Sequence, residues 1–340
     1  MVSKDMKVQT GNKKPKQIIE LSGLGKTFTY FEKGEGLTGS LMSLVHKKKL
    51  FKEAVKDLSF TISQGEFVGF IGENGAGKTT TLKMLSGILT PTHGHVRVDG
   101  HEPIQREKDF LKKISIVMGQ KSQLWETLPA IETYRLIQKI YEVSDSAFRS
   151  RLKSLSKLLD VESLLHVQVR KLSLGQRMKC ELIASLIHSP KILFLDEPTI
   201  GLDILSQRKI REFLIEYNKK SGATIILTSH NMDDLEDLAS RIILIDEGSL
   251  GYDGPLDELV RDYSKSKYVS IQFKEKVFKK DLVKFGKLRE YEPFECLIEI
   301  PAVDVPERVG KLLKRFPVKD ISLSDITLEE IVAHLFEKNN

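Results

Sequence analysis

The sequence predicts an α/β fold on a mostly parallel sheet, interrupted by a helical insertion and followed by a small α+β module. Three observations carry this reading. From Gln17 to about Gly254, short β-branched apolar runs alternate with helical patterns, as expected of parallel strands buried under helices on both faces. Between residues 129 and 170 the strand-like runs stop and two amphipathic patterns replace them. After Gly254 strands and helices succeed one another in a different rhythm over a much shorter length.

Each element follows from its own pattern. Residues 1–16 are polar and basic, with nothing to bury, and read as a solvated disordered tail. Strands are expected at 18–21, 66–72, 114–118, 192–196, 224–228 and 241–245, each an apolar run of strand length. The helical patterns lie at 131–141 and at 148–159, the second apolar at 148, 152, 155, 158 and 159. They define a helical subdomain over 122–171 within a domain spanning 17–260. A second insertion, 30–52, begins Gly/Glu/Lys-rich. It then places Leu37, Leu41, Leu44 and Val45 at one-face helical spacing ahead of Lys47, Lys48 and Lys49. The C-terminal module, 265–340, predicts strands at 268–273, 297–300 and 318–323 and helices at 306–316 and 328–336.

Composition excludes several classes. With 340 residues the chain is long enough for about two domains. The 40% hydrophobic content, about 47% with the 23 glycines, rules out wholesale disorder and collagen-like order. Two cysteines, Cys180 and Cys296, stand far apart without a metal-ligand spacing, so a disulfide-stapled scaffold is excluded and a reducing compartment expected. The N-terminus lacks the apolar core of a signal peptide, and no run approaches the roughly 20 apolar residues that cross a bilayer. The net charge of +6 is compatible with nucleic acid, an anionic membrane surface or a nucleotide, and selects none of them.

The sharpest motif is Gly72-Glu73-Asn74-Gly75-Ala76-Gly77-Lys78-Thr79, a match to G-x-x-x-x-G-K-[ST] between an apolar strand and a helical pattern opening at Thr80. Glycines let backbone amides wrap phosphate oxygens, and the helix N-terminus adds a favourable dipole. Lys78 is expected to reach the β- and γ-phosphates and Thr79 to ligate Mg²⁺. A chance match in a chain of this length arises roughly once in a hundred cases. Further along, Lys191-Ile192-Leu193-Phe194-Leu195-Asp196-Glu197 is an apolar strand ending in two carboxylates. Such an end is usually a solvated one. Behind a phosphate loop, Asp196 is placed to hold Mg²⁺ through water and Glu197 to polarise an attacking water as general base.

Taken together, residues 17–260 resemble the nucleotide-binding subunit of an ATP-binding cassette (ABC) transporter. The family's signature, commonly L-S-G-G-Q, appears as Leu172-Ser173-Leu174-Gly175-Gln176. The resemblance implies that Ser173, Gly175 and Gln176 complete the ATP site of an opposite subunit, with Leu174 in place of a glycine. Pro198-Thr199-Ile200-Gly201-Leu202-Asp203 resembles the family's D-loop, which puts Asp203 at a dimer seam. Thr228-Ser229-His230 resembles the switch segment, which gives His230 the γ-phosphate and the attacking water. For the family's glutamine that links Mg²⁺ and water to the helical insertion, Gln120 is the candidate and Gln123 its competitor. Leu24-Gly25-Lys26-Thr27-Phe28 resembles the segment whose ring stacks on adenine, with Tyr30 as the alternative to Phe28 and a plain core aromatic as the bland reading.

The run Gly119-Gln120-Lys121-Ser122-Gln123-Leu124-Trp125, with the signature and D-loop sequences, resembles a bacterial subgroup of exporter ATPases similar to those of daunorubicin-type drug exporters. The resemblance implies ATP and Mg²⁺ as ligands. It implies separately encoded transmembrane permease subunits, a homodimer or a heterodimer with a paralogous ATPase, no nucleic acid, and a peripheral place at the cytoplasmic face of the membrane. An importer ATPase shares this chemistry. A soluble ABC protein acting on ribosomes or DNA would carry a second cassette, a long coiled coil or zinc inserts. The 30–52 insertion reads as a contact to the permease or headgroups, or as a surface helix on its own domain. The C-terminal module reads as a regulatory or dimerising unit, or as a stabilising appendage. Cys180, in the helix after the signature, reads as a buried small residue.

Overall fold

The computed structural model describes residues 16–31, 49–119, 121–263 and 265–339. The basic tail, the helical pattern at 37–48 and Gln120 lie outside the described residues. The chain forms two compact units. One comprises the residues up to His230 together with Ile245–Leu250, and the other comprises Asn231–Leu244 and Gly251–Asn340.

The first unit opens with a long hairpin. β1 (Gln17–Phe31) pairs antiparallel with β2 (Lys49–Ser63), from Gln17 opposite Ser63 to Phe31 opposite Lys49. The expected strand at 18–21 is therefore a fraction of β1, and both ends of the 30–52 insertion are strand. β2 was not expected. It buries Leu58, Phe60 and Ile62 while Ser59 and Thr61 face solvent, so only alternate residues are apolar and no continuous run marks it. β3 (Phe67–Ile71) is buried along its whole length and leads into α1 (Lys78–Leu85). β4 (His93–Val98), also unexpected, buries only Val96 and Val98 and pairs antiparallel with β1.

β5 (Ile114–Met118) begins the parallel part of the fold. α2 (Ala130–Ile140) and α3 (Asp145–Leu159) then occupy the expected helical stretch. The Ser144 hydroxyl caps α3 by accepting the Ala147 amide at 3.3 Å, which is why the helix begins three residues before the first apolar position of its pattern. α4 (Leu174–Leu186) leads to β6 (Ile192–Asp196), α5 (Ile204–Ser221) and β7 (Thr224–Thr228). Within this unit the parallel strands lie in the order β5-β6-β7-β3. Met118, Asp196 and Thr228 are therefore in register at one sheet edge, the carboxyl ends from which α/β proteins present their ligand sites. The returning segment locks this edge: the Gly248 amide donates to the Ala76 carbonyl at 3.0 Å, and the Lys56 amide donates to the Gly248 carbonyl at 2.7 Å.

The second unit holds α6 (Met232–Leu238) and α7 (Leu256–Tyr263) ahead of the C-terminal module, together with the first four residues of β8 (Arg241–Asp246) and the last five of β9 (Ser249–Pro255). There β10 (Ser266–Phe273), β11 (Lys287–Glu292), β12 (Glu295–Pro301) and β13 (Val318–Asp325) form an antiparallel sheet ordered β11-β12-β10-β13. β9 and β11 were not expected from the sequence: β9 is largely exposed, and the two β11 side chains that pack on the core, Leu288 and Tyr291, stand three residues apart across a bulge and so show no alternation. Val269, Ile271, Phe273, Cys296, Ile298 and Ile300 form a core on one sheet face, with Leu312 of α8 (Val305–Arg315) within it. α9 (Leu328–Asn339) packs against α6 and α7. Among the described residues, no helix is long and apolar enough to cross a membrane.

Candidate nucleotide site

The site grows from the loop between β3 and α1. Gly77 caps α1 with φ of 109°, and a Cβ there would meet the Ala54 carbonyl oxygen at 2.5 Å, so neither the turn nor the space admits another residue. α1 starts at Lys78, which leaves its first amides without intrahelical partners and aimed at the loop. Lys78 is 6% exposed, and its ammonium donates to the carbonyls of Gly72 at 2.6 Å and Glu73 at 3.0 Å. Burial lowers its pKa, while the charges of Glu197 and Asp196 pull the other way. A cation held only by loop carbonyls is one that phosphate oxygens can compete for.

Register brings the second half of the site to this loop. The Thr79 hydroxyl lies 3.0 Å from Asp196 Oδ2 and 3.1 Å from Oδ1. These are hard oxygen donors, a hydroxyl beside a carboxylate, and they fit Mg²⁺. Glu197 takes a left-handed φ of 52°, an unusual conformation for a non-glycine residue, and its Oε1 sits 2.8 Å from His230 Nε2. The Gly119 amide donates to the Asp196 carbonyl at 2.8 Å, and a Cβ on Gly119 would meet the Glu197 carbonyl oxygen at 2.4 Å. Only glycine lets the end of β5 approach the two carboxylates this closely.

A cavity of about 250 Å³ opens over the loop, lined by Phe28, Asn74, Gly75, Lys78, Thr79 and Glu197, with Thr80 also on its wall. Phe28 is 39% exposed, with the Lys26 ammonium 5.4 Å from its ring centroid. Tyr30 is also exposed but does not line the cavity. Gly72 and Ala76 belong to the loop without reaching that wall, the first through its carbonyl to Lys78 and the second through its carbonyl to Gly248.

The signature residues are folded but not in this cavity. Ser173 caps α4 in a reciprocal box: its hydroxyl accepts the Gln176 amide at 3.3 Å, and its own amide donates to Gln176 Oε1 at 3.0 Å. Leu174 is the first residue of the helix and 49% exposed, an ordinary helical position that accepts a side chain. Gly175 is buried in the first turn. Asp203 caps α5 through the Ser206 amide at 2.9 Å and hydroxyl at 2.7 Å, and these bonds hold its carboxyl below the usual range. Gln123, the competitor to Gln120, donates its side-chain amide to the Ile116 carbonyl at 2.9 Å.

The roles of two residues were missed in the sequence. Thr228, fully buried, donates its hydroxyl to Asp196 Oδ1 at 2.7 Å and accepts the Glu197 amide at 3.1 Å. Glu181 of α4 is 4% exposed and accepts the amides of Gln123 at 2.9 Å and Leu124 at 3.3 Å as well as the Ser122 hydroxyl. Burial pushes its carboxyl up, and these bonds pull it back only in part. An acid on the apolar stretch Cys180, Leu182, Ile183 was the available signal. Cys180 is buried as expected, its thiol pushed up to about 11 by desolvation.

A phosphate loop with a buried lysine, a Thr–Asp oxygen pair and a Glu–His pair at the carboxyl edge of a parallel sheet define a P-loop nucleotide-binding protein. The comparisons narrow this class. The ABC transporter family pattern matches residues 55–200, and the C-terminal domain of EvrA-like ABC transporters matches residues 265–324. The ABC transporter ATP-binding protein NatA of Bacillus subtilis is 37% identical over 213 residues, 63% of this chain and 86% of NatA. The bacitracin transport ATP-binding protein BcrA of Bacillus licheniformis is 29% identical over 285 residues, 82% of this chain and 89% of BcrA. Among solved structures, a bacterial ABC transporter cassette in dimeric form superposes with a TM-score of 0.58 at 26% identity, covering 70% of this chain and 98% of the cassette. A dimeric post-hydrolysis state bound to ADP and Pi superposes with the same TM-score at 25% identity over the same shares. This chain belongs to the ABC transporter family, as an ATP-binding, ATP-hydrolysing subunit.

Proposed function

We propose that this chain is the motor of an exporter, acting at the cytoplasmic face of the membrane on separately encoded permease subunits. One observation carries the dimeric part of this reading. The loop and Glu197 line one cavity, with Asp196 bonded to its Thr79 and His230 to its Glu197, while Ser173, Gly175, Gln176 and Asp203 neither line that cavity nor bond to these residues. One chain thus holds two half-sites, and two chains facing head to tail complete both. Export is supported by two similar proteins, the bacitracin transport protein BcrA and the linearmycin resistance ATP-binding protein LnrL of Bacillus subtilis, the latter 33% identical over 199 residues.

The residues divide the chemistry as follows. Phe28 offers a π-face to the adenine. The loop amides and Lys78 neutralise phosphate charge, and the partner's Ser173 and Gly175 close over the γ-phosphate. Thr79 and Asp196 would hold Mg²⁺, with Gln120 as a further ligand, and the ion would supply neutralisation of phosphate charge. Glu197, whose Oε1 lies 2.8 Å from His230 Nε2, accepts the proton of the attacking water. Positioning and charge stabilisation account for most of the rate.

Glu197→Gln tests the assignment. The variant is expected to bind ATP, to lose turnover by about 10²–10⁴-fold and to accumulate as an ATP-bound dimer in light scattering. Wild-type turnover would remove Glu197 as the base. Affinity purification from membranes is expected to bring hydrophobic subunits; rRNA or DNA in their place would overturn the transport reading.

A further inference from the structure

The C-terminal sheet ends in two unlike edges. β11 carries Lys287, Arg289, Glu290 and Glu292, four charges in six residues, the composition of a guarded edge. β13 keeps its charges near its ends, at Lys319, Asp320 and Asp325, and runs Ile321-Ser322-Leu323-Ser324 between them. Its pairing with β10 sets Leu323 opposite Val269 and Ile321 opposite Ile271. Val269 and Ile271 face the core, so Ile321 and Leu323 occupy the same sheet face. Leu323 is nevertheless 53% exposed, because it stands on the outermost strand.

The hydrogen-bonding parity of the free side can be read from one contact. The Ile321 amide donates to Asp320 Oδ1 at 2.8 Å. That amide therefore points away from β10. By alternation the Leu323 amide and carbonyl also point outward, whereas Ser322 turns its own toward β10.

We propose that β13 pairs antiparallel with β13 of a second copy of this chain, about a two-fold axis at Ser322. In this register Ile321 meets the partner copy's Leu323, both directing backbone groups across the seam. Ser322 meets its own symmetry mate at a non-hydrogen-bonded position. Asp320 faces Ser324, and Lys319 reaches Asp325, which in one chain holds Lys267 at 2.7 Å. Among the described residues Lys319 makes no ion pair. No like charges oppose one another, and each apolar residue meets another, so the strand is its own complement; this is what a self-pairing isologous interface needs. The ladder is short, so its strength comes from raising the local concentration of two cassettes that also meet through ATP.

The test uses the full chain without nucleotide, which separates it from the ATP-driven dimer. Ser322→Cys and, as control, Ser324→Cys are oxidised under mild conditions, with circular dichroism confirming folding. The non-hydrogen-bonded pair places the two Cα atoms about 4.5 Å apart, within disulfide range, so Ser322→Cys is expected to give a covalent dimer at least tenfold faster than Ser324→Cys. Adding Leu323→Arg, which sets an arginine against an isoleucine at both hydrogen-bonded pairs of the seam, is expected to abolish that advantage. Equal rates for the two cysteines, or faster linkage through Ser324→Cys, would overturn the proposal. So would undiminished linkage in the arginine variant.

Discussion

The Thr228 hydroxyl donates to the Asp196 carboxylate at 2.7 Å across neighbouring parallel strands, while the Glu197 amide donates to the Thr228 carbonyl at 3.0 Å and hydroxyl at 3.1 Å. One buried threonine thus orients both acids of the site. With Thr79 on the other side of the carboxylate, Asp196 is held between two hydroxyls before any ligand arrives. Glu197 enters its left-handed conformation directly after this anchored residue, which is how an uncommon backbone angle is maintained where the water-activating group needs it.

Thr228→Val keeps the shape and removes the hydroxyl. The Glu197 amide retains the Thr228 carbonyl, so the fold survives, at a cost of about 1 kcal/mol. Loosening a group that orients a metal-facing carboxylate is expected to lower ATP turnover by about 10–100-fold, measured as kcat at saturating Mg²⁺ and ATP. Unchanged kcat would show that Thr79 alone orients Asp196.

Phe28 lines the nucleotide cavity and Tyr30 does not. Base–aromatic stacking is worth about 1–3 kcal/mol, so Phe28→Ala is expected to raise the ATP Kd by roughly tenfold or more. Phe28→Trp should retain affinity and Tyr30→Ala should leave it unchanged. Fluorescent-nucleotide titration distinguishes these outcomes, and a larger loss with Tyr30→Ala would transfer the role.

Glu181 joins α4 to the turn that follows Gln120. Glu181→Ala strands the Gln123 and Leu124 amides in a buried place and is expected to cost about 1–3 kcal/mol, read from urea unfolding. Asp and Gln at this position serve as comparisons: a Gln that matches Ala would show that the charge, rather than the acceptor atoms, stabilises the turn.

Asp99 gives an acid dependence of known sign. Burial pushes its carboxyl up, but hydrogen bonds and charge from Lys113 at 2.9 Å and Lys191 at 3.3 Å outweigh this and leave it below 3.8. A folded-state value below the unfolded one stabilises the protein above pH 3.8, and this contribution is lost as pH falls through the folded value. Asp99→Asn is therefore expected to be less stable than the parent at neutral pH and to lose stability less steeply below pH 4. Parallel acid-unfolding curves would refute the linkage.

Much of the site was legible because its residues are contiguous. A glycine-rich loop must be spelled out in order, since consecutive amides wrap one phosphate chain, and Gly72 to Thr80 show this directly. The parallel strands β5, β6 and β7 are buried on both faces, so apolar composition alone marks them at their observed bounds. β2 and β4 escaped because a half-solvated antiparallel strand spends only every second residue on the core. The roles of Thr228 and Glu181 escaped, the first although it opens the switch segment before His230: each matters through a partner distant in sequence, Asp196 for one and the Ser122–Leu124 turn for the other.

The sequence by itself thus determined the chemistry: which loop cradles phosphate, which acids follow it, and that an ATPase of the cassette family is encoded. Only the tertiary structure decided which groups meet. Parallel register set Asp196 between Thr79 and Thr228 and brought His230 to Glu197, while Ser173 and Asp203 cap their own helices and bond to none of these residues. The physical reason is that a motif fixes local backbone geometry through residue type, whereas contacts across strands depend on register, which is set by the burial of the whole sheet.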